Sequence, residues 1–253
     1  MLDRLQGLEL ERASAVAVQR VSETLQRSLL TEPPAGPGRT IAVRYLPASQ
    51  VAQVGGDWYD AFETADGTLS LVIGDVAGHD EDAAAAMAQV RNVMRGVAQT
   101  LQEPPAAVLA GLDRALSGLQ LSLLATVVVA QLECEGAART FTWCNAGHPP
   151  PVLVRADGTV RLLDAEPDLL VGLTTAMGRR DHVVQLAVGD TVLLYTDGLV
   201  ETRGGDIEQD LAELVALVAR LGGDAGPQAL VDGLVQGLDE LNDDVALLAV
   251  RAD

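Results

Sequence analysis

The chain contains no lysine. All 17 of its basic residues are arginine, set against 36 carboxylates, and the formal net charge is -19. An acidic excess of that size repels nucleic acid and anionic membranes, which carry the same sign, so neither is an expected partner. Cysteine is scarce as well. Cys134 and Cys144 are too few for a disulfide framework, and two thiols cannot alone make a four-ligand zinc site. Both fall in apolar, strand-like segments and read as buried free thiols. Aromatic residues make up only 3% of the chain, so Val, Leu and Ala must build the core that a hydrophobic content of 48% allows. No unbroken apolar run reaches the ~18 residues of a membrane span. The opening MLDRLQGLELER lacks the apolar stretch of a signal peptide. Together these absences predict a cytoplasmic, reduced protein.

What is present divides at one point. Residues 1–31 read as a helix, with Val18, Val21, Leu25 and Leu29 recurring at spacings of three and four. The Pro/Gly cluster TEPPAGPG then stops it. Two units are expected: a linker or regulatory helix over 1–31, and a domain over 40–253. Within the second, IAVRYLP and TLSLVIGDVAG read as strands, and residues 82–101 and 104–116 as helices. Residues 123–133 and 139–145 form an expected hairpin, and 151–163 a second one with Asp157-Gly158 at its tip. Two more strands are expected over 182–198, amphipathic helices over 207–221 and 227–241, and a last strand in VALLAVR. Hairpins interleaved with paired helices predict an α+β layered fold.

The chemistry lies in aspartates at strand ends. GGDWYD follows the first strand, GDVAGHD the second, YTDG ends another buried strand, and NDD precedes the last. Any one Asp-Gly pair is an ordinary turn former; the interest is in the set. Four acidic loops, far apart in sequence, converge if their strands share one edge of a sandwich. Mg²⁺ and Mn²⁺ are hard cations that prefer oxygen ligands. Two such ions roughly 3.5–4 Å apart polarise a phosphoryl oxygen and acidify a bound water. Such a site needs no Ser, Cys or His nucleophile, and no serine here sits in a nucleophile elbow. No EF-hand loop is present.

The ordered series GGDWYD, GDVAGH, NAGHPPP, LLYTDGLVET and NDDVALLAV resembles the SpoIIE/RsbU-like branch of the PPM (type 2C) serine/threonine phosphatases of bacteria, over about residues 40–251. The resemblance implies two packed antiparallel β-sheets flanked by helix pairs, with a binuclear Mn²⁺ or Mg²⁺ site at one edge. Carried over residue by residue, it implies metal ligation and catalysis by Asp57, Asp75 and Asp197. The carbonyl of Val76 and the carboxylate of Asp243 complete the ligand set, Asp243 matching the last motif better than Asp244. It also implies hydrolysis of phosphoserine or phosphothreonine by a metal-activated water. The implied partner is a STAS-type anti-sigma-factor antagonist, with a homodimer through the N-terminal helix as a possible assembly. The competing reading is a binding module that kept the fold without strong catalysis; retention of the ligand aspartates argues against it.

Other motif residues carry two readings each. Gly55 and Gly56 permit a close backbone approach near the metals, or a plain turn. Asp60 holds metal-bound waters or caps a turn, and Trp58 and Tyr59 are packing residues. Asn145 to His148 form a turn of structural rather than catalytic use. His79 is either a proton donor to the leaving group or a solvated loop histidine. Many relatives have glycine where Asp80 stands, and Asp80, Glu81 and Asp82 together read as an N-terminal cap for the following helix.

Overall fold

The computed structural model describes residues 31–47, 55–78, 81–136, 138–174, 178–200, 205–222, 226–238, 241 and 243–253. The expected helix over 1–31 lies outside these residues except for Thr31, as do His79 and Asp80. Among the described residues, ten strands form two five-stranded antiparallel sheets. One sheet runs in the order β1 (Arg39–Leu46), β10 (Val245–Ala252), β9 (Thr191–Tyr195), β6 (Val152–Val154), β7 (Val160–Leu162). The other runs β2 (Trp58–Glu63), β3 (Leu69–Val76), β4 (Ala125–Glu135), β5 (Ala138–Ala146), β8 (His182–Gln185). Helices α1 (Glu81–Leu101) and α2 (Pro105–Gly118) cover the second sheet, and α3 (Ile207–Leu221) and α4 (Gly226–Gln236) cover the first.

The layers follow from side-chain alternation. A strand points successive residues to opposite faces. Along β3, Leu69, Leu71 and Ile73 enter the core between the sheets, while Val72 and Val76 face the α1/α2 layer. Along β10, Ala246, Leu248 and Val250 face the opposite sheet, and Val245, Leu247 and Ala249 face α3/α4. Both strands are buried on both faces, which is why each reads as a continuous apolar run. Local chemistry sets the element ends. The Asp206 side chain accepts a hydrogen bond from the Glu208 N–H and caps α3, and a proline opens α2. Gly158, at φ +86°, turns the β6–β7 hairpin.

One feature departs from the sequence expectation: WYDAFE is a full strand, β2, where only a loop motif was read. The two strands expected over 182–198 are both present, β8 at the edge of one sheet and β9 inside the other. The α+β sandwich itself is as expected, and it places the ends of β3 and β9 and the starts of β2 and β10 at one edge.

Candidate metal centre

Asp57 stands just before β2, and Asp75 is the penultimate residue of β3, so both come from one sheet. Asp197 opens a 3₁₀ turn directly after β9, in the other sheet. One carboxylate oxygen from each lies within 4.8 Å of the other two. This is the convergence across a sandwich edge that scattered acidic loops require. Backbone pairing fixes the approach: Trp58 is opposite Gly74, the Val76 N–H donates to the Gly56 carbonyl at 3.2 Å, and the Ala77 N–H donates to Leu124 at 3.0 Å. A side chain on Gly56 would collide with the Val76 carbonyl and with Asp75 Oδ1, so the glycine is needed for clearance and not merely for a turn.

The electrostatics fit a cation site. Asp57 is buried, and its Oδ2 has no hydrogen-bond partner in the described structure. Burial, with the Asp75 charge next, holds the Asp57 carboxyl well above the usual carboxylate range. Burial also raises Asp75, to about 7, with the charges of Asp197, Asp243 and Asp244 adding to the rise. Carboxylates forced together in a partly dry site repel one another and favour neutralisation by protons or by cations. An oxygen-only donor set with an orphaned buried oxygen suits Mn²⁺ or Mg²⁺.

The last motif resolves into two different residues. Asp244 is buried, and its Oδ2 accepts the Tyr45 hydroxyl at 2.8 Å. Asp243 is exposed, its Oδ1 accepts the Asp244 N–H at 2.8 Å, and its charge reaches Asp75. Asp243 does not belong to the close set of three. Gly55 and Gly198 both press against Asp244, so a side chain on either would displace it.

Supporting residues emerge that the motifs did not reveal. Thr196, buried, receives the Ala246 N–H on its hydroxyl at 2.8 Å and bonds to Asp57, which aligns the Asp57 carboxyl with β10. Thr126, directly opposite Asp75 on β4, lies with its hydroxyl 2.8 Å from Nδ1 of buried His148. Neither threonine has a sequence signal beyond standing beside a motif. Asn145 closes the turn, its amide donating to the His148 carbonyl and its oxygen accepting the His148 N–H, both at 2.8 Å. These two bonds hold the turn closed.

Asp60 has partners on α1 that its motif did not reveal. Fully buried in β2, it pairs with Arg91 at 3.2 Å and Arg95 at 3.5 Å on α1, and accepts the Thr31 hydroxyl at 3.1 Å. Trp58 is packing, with no exposure at all. Cys144 is buried, and its thiol is pushed up to about 12, so it is no nucleophile.

The model of the family described as Stage II sporulation protein E (SpoIIE) matches residues 65–253. The chain belongs to the SpoIIE family, in the RsbU-like branch of the PPM phosphatases. It is 26% identical to the phosphoserine phosphatase RsbU of Bacillus subtilis over 98% of its own length and 72% of that relative. A crystal structure of the RsbU and RsbW domains of a Mycobacterium tuberculosis protein is 35% identical, with a TM-score of 0.78, covering 89% of this chain and 63% of that one. The PP2C phosphatase domain of Bacillus subtilis SpoIIE shares the fold at 17% identity and a TM-score of 0.69, over 85% of this chain and 64% of that one. Asp75, Asp197 and Asp243 fall within the matched family region, and Asp57 lies just upstream of it.

Proposed function

We propose that this chain removes phosphate from phosphoserine or phosphothreonine on a partner protein, using two Mn²⁺ or Mg²⁺ ions. The observation that carries the reading is the meeting of Asp57, Asp75 and Asp197 from two sheets, with an orphaned buried oxygen on Asp57. Those three carboxylates, the Val76 carbonyl and Asp243 are the groups that would hold the ions. Bound there, such ions supply Lewis acidity that polarises a phosphoryl oxygen and acidifies water. The chain's own residues do the positioning. Thr196 fixes the Asp57 carboxyl, and the pairing of β3 with β4 fixes Asp75. Nε2 of His148, 3.0 Å from the Tyr195 carbonyl, fixes the entry to the Asp197 turn.

The favoured substrate is a phosphorylated STAS-type anti-sigma-factor antagonist, supported by the similarity to RsbU along almost the whole chain. Retention of every ligand carboxylate weighs against an inactive binding module. Residues 1–31 are read as a regulatory helix that pairs with a second copy through Val18, Val21, Leu25 and Leu29. Replacing Val21 and Leu25 with Asp tests this by light scattering: a dimer becomes a monomer, whereas an unchanged mass rejects the pairing. Among the described residues no helix is long and apolar enough to cross a membrane.

The deciding experiment is phosphate release from a phosphoserine protein with Mn²⁺, with Mg²⁺ and with excess chelator. Release should need the cation and stop with chelator. Full turnover in excess chelator overturns the two-ion reading.

A further inference from the structure

A cleft of about 620 Å³ opens directly on Asp197. One wall is Gly147 to Pro150, and the other is the first turn of α3, with Ile207, Asp210 and Leu211. Thr126 and Asp197 close the inner end. The cleft holds far more than a phosphate group. A larger cleft, between α2 and the chain near Gly172, has a mixed polar and apolar lining and contains none of the centre's carboxylates.

The walls are fixed in advance. Gly147 takes φ +71°, His148 behind it is anchored by both ring nitrogens, and three prolines follow with restricted φ. Ile207 is 50% exposed at the cleft, an aliphatic side chain left in water beside a charged centre. Leu211 follows one turn later on the same helix face. The chain around them is acidic: Asp206 caps α3, and Glu208 and Asp210 stand in its first turn.

We propose that this cleft seats the residues flanking the phosphorylated side chain of the protein substrate, and that it selects an aliphatic residue and a cationic one there. The inference rests on the phosphatase reading. A phosphate delivered to the carboxylate cluster brings its own chain into whatever adjoins Asp197, and the cleft is what adjoins it. Ile207 and Leu211 offer apolar surface to an aliphatic side chain. The acidic first turn favours a cation and repels a carboxylate. Ile207 and Leu211 are thus specificity-determining residues, apart from the catalytic set.

The test uses synthetic phosphoserine peptides whose flanking residues are Leu, Arg, Gly or Asp, with an aryl phosphate as the small control, all in Mn²⁺. The wild-type chain should process the Leu- and Arg-flanked peptides with kcat/KM about tenfold above the Asp-flanked one, mainly through KM. Ile207→Ser should remove the preference for Leu over Gly and leave aryl phosphate turnover unchanged; Ile207→Leu should retain that preference. Equal rates on all four peptides overturn the cleft, and so does an equal fall of Ile207→Ser on peptide and aryl phosphate. A wild-type chain that releases phosphate from neither peptide nor aryl phosphate overturns the phosphatase reading and the cleft with it.

Discussion

Nε2 of His148 donates a hydrogen bond to the backbone carbonyl of Tyr195 across 3.0 Å, two residues before Asp197. Its Nδ1 accepts from the Thr126 hydroxyl, opposite Asp75. One neutral imidazole therefore ties the strand ends that carry two of the converging carboxylates, one from each sheet. Burial lowers its pKa to about 4, and both nitrogens are engaged, so it is a positioning residue and not an acid or base.

His148→Ala removes the ring from between the half-buried Thr126 hydroxyl and the buried Tyr195 carbonyl. The expected cost is about 2 kcal/mol or more, read as a lower urea midpoint, with weaker Mn²⁺ binding. Because the folded pKa lies below the ordinary value of 6.5, the stabilisation from His148 is full above pH 6.5 and fades as pH falls toward 4. The variant should therefore lose less stability than wild type between those pH values. Parallel losses would refute the brace.

The carboxylate pair has the opposite sign. Asp57 and Asp75 both have folded pKa values raised above the ordinary 3.8. Without cation, the folded state holds more protons than the unfolded one from about pH 4 to about 7, so this contribution to stability is lost as pH rises through that window. Cations compete with those protons. Mn²⁺ should raise Tm more at pH 7.5 than at pH 5, and binding should release protons, measurable by calorimetry in buffers of different ionisation enthalpy. An equal Tm shift at both pH values would count against the pair as the binding site.

Single substitutions should separate neighbours. Asp75→Asn and Asp197→Asn should each lower turnover by at least 100-fold in order of magnitude, the scale of losing a charge-stabilising group. Asp243→Asn should weaken Mn²⁺ binding more than Asp244→Asn, whose main effect should be on stability through Tyr45. The reverse ranking in a metal titration would reassign the last motif.

The ion pair of Asp60 with Arg91 lies in the core, with the two side chains 0% and 4% exposed. Arg91→Met leaves the buried Asp60 with only the longer pair to Arg95 and the Thr31 hydroxyl, and should cost about 3 kcal/mol, the low end for breaking a buried pair. Adding Asp60→Leu should recover much of that loss. A double variant as unstable as the sum of both singles would show that the pair is not coupled.

Much of this protein was legible along the chain, because local rules suffice for it. The apolar run LSLVIGD sets a buried strand with Asp75 at its exit. TVLLYTDG does the same for Asp197, and the Pro, Gly and Asp residues punctuate the helices. Tertiary structure decided what no local rule reaches. Alternation permits β8 and β9 to be hairpin neighbours, yet β8 completes one sheet and β9 enters the other, because β10 and β6 take both sides of β9. WYDAFE looked like a loop because Asp60 breaks the apolar pattern, and only the arginines of α1, some thirty residues later, make that buried charge tolerable. Asp243 and Asp244 are equivalent as letters; at the entry to β10 one remains exposed and the other is buried against Tyr45 of β1, which lies opposite Ala246. Burial and partner are settled when distant strands pair, and those are the properties that distinguish a candidate ligand from a structural carboxylate.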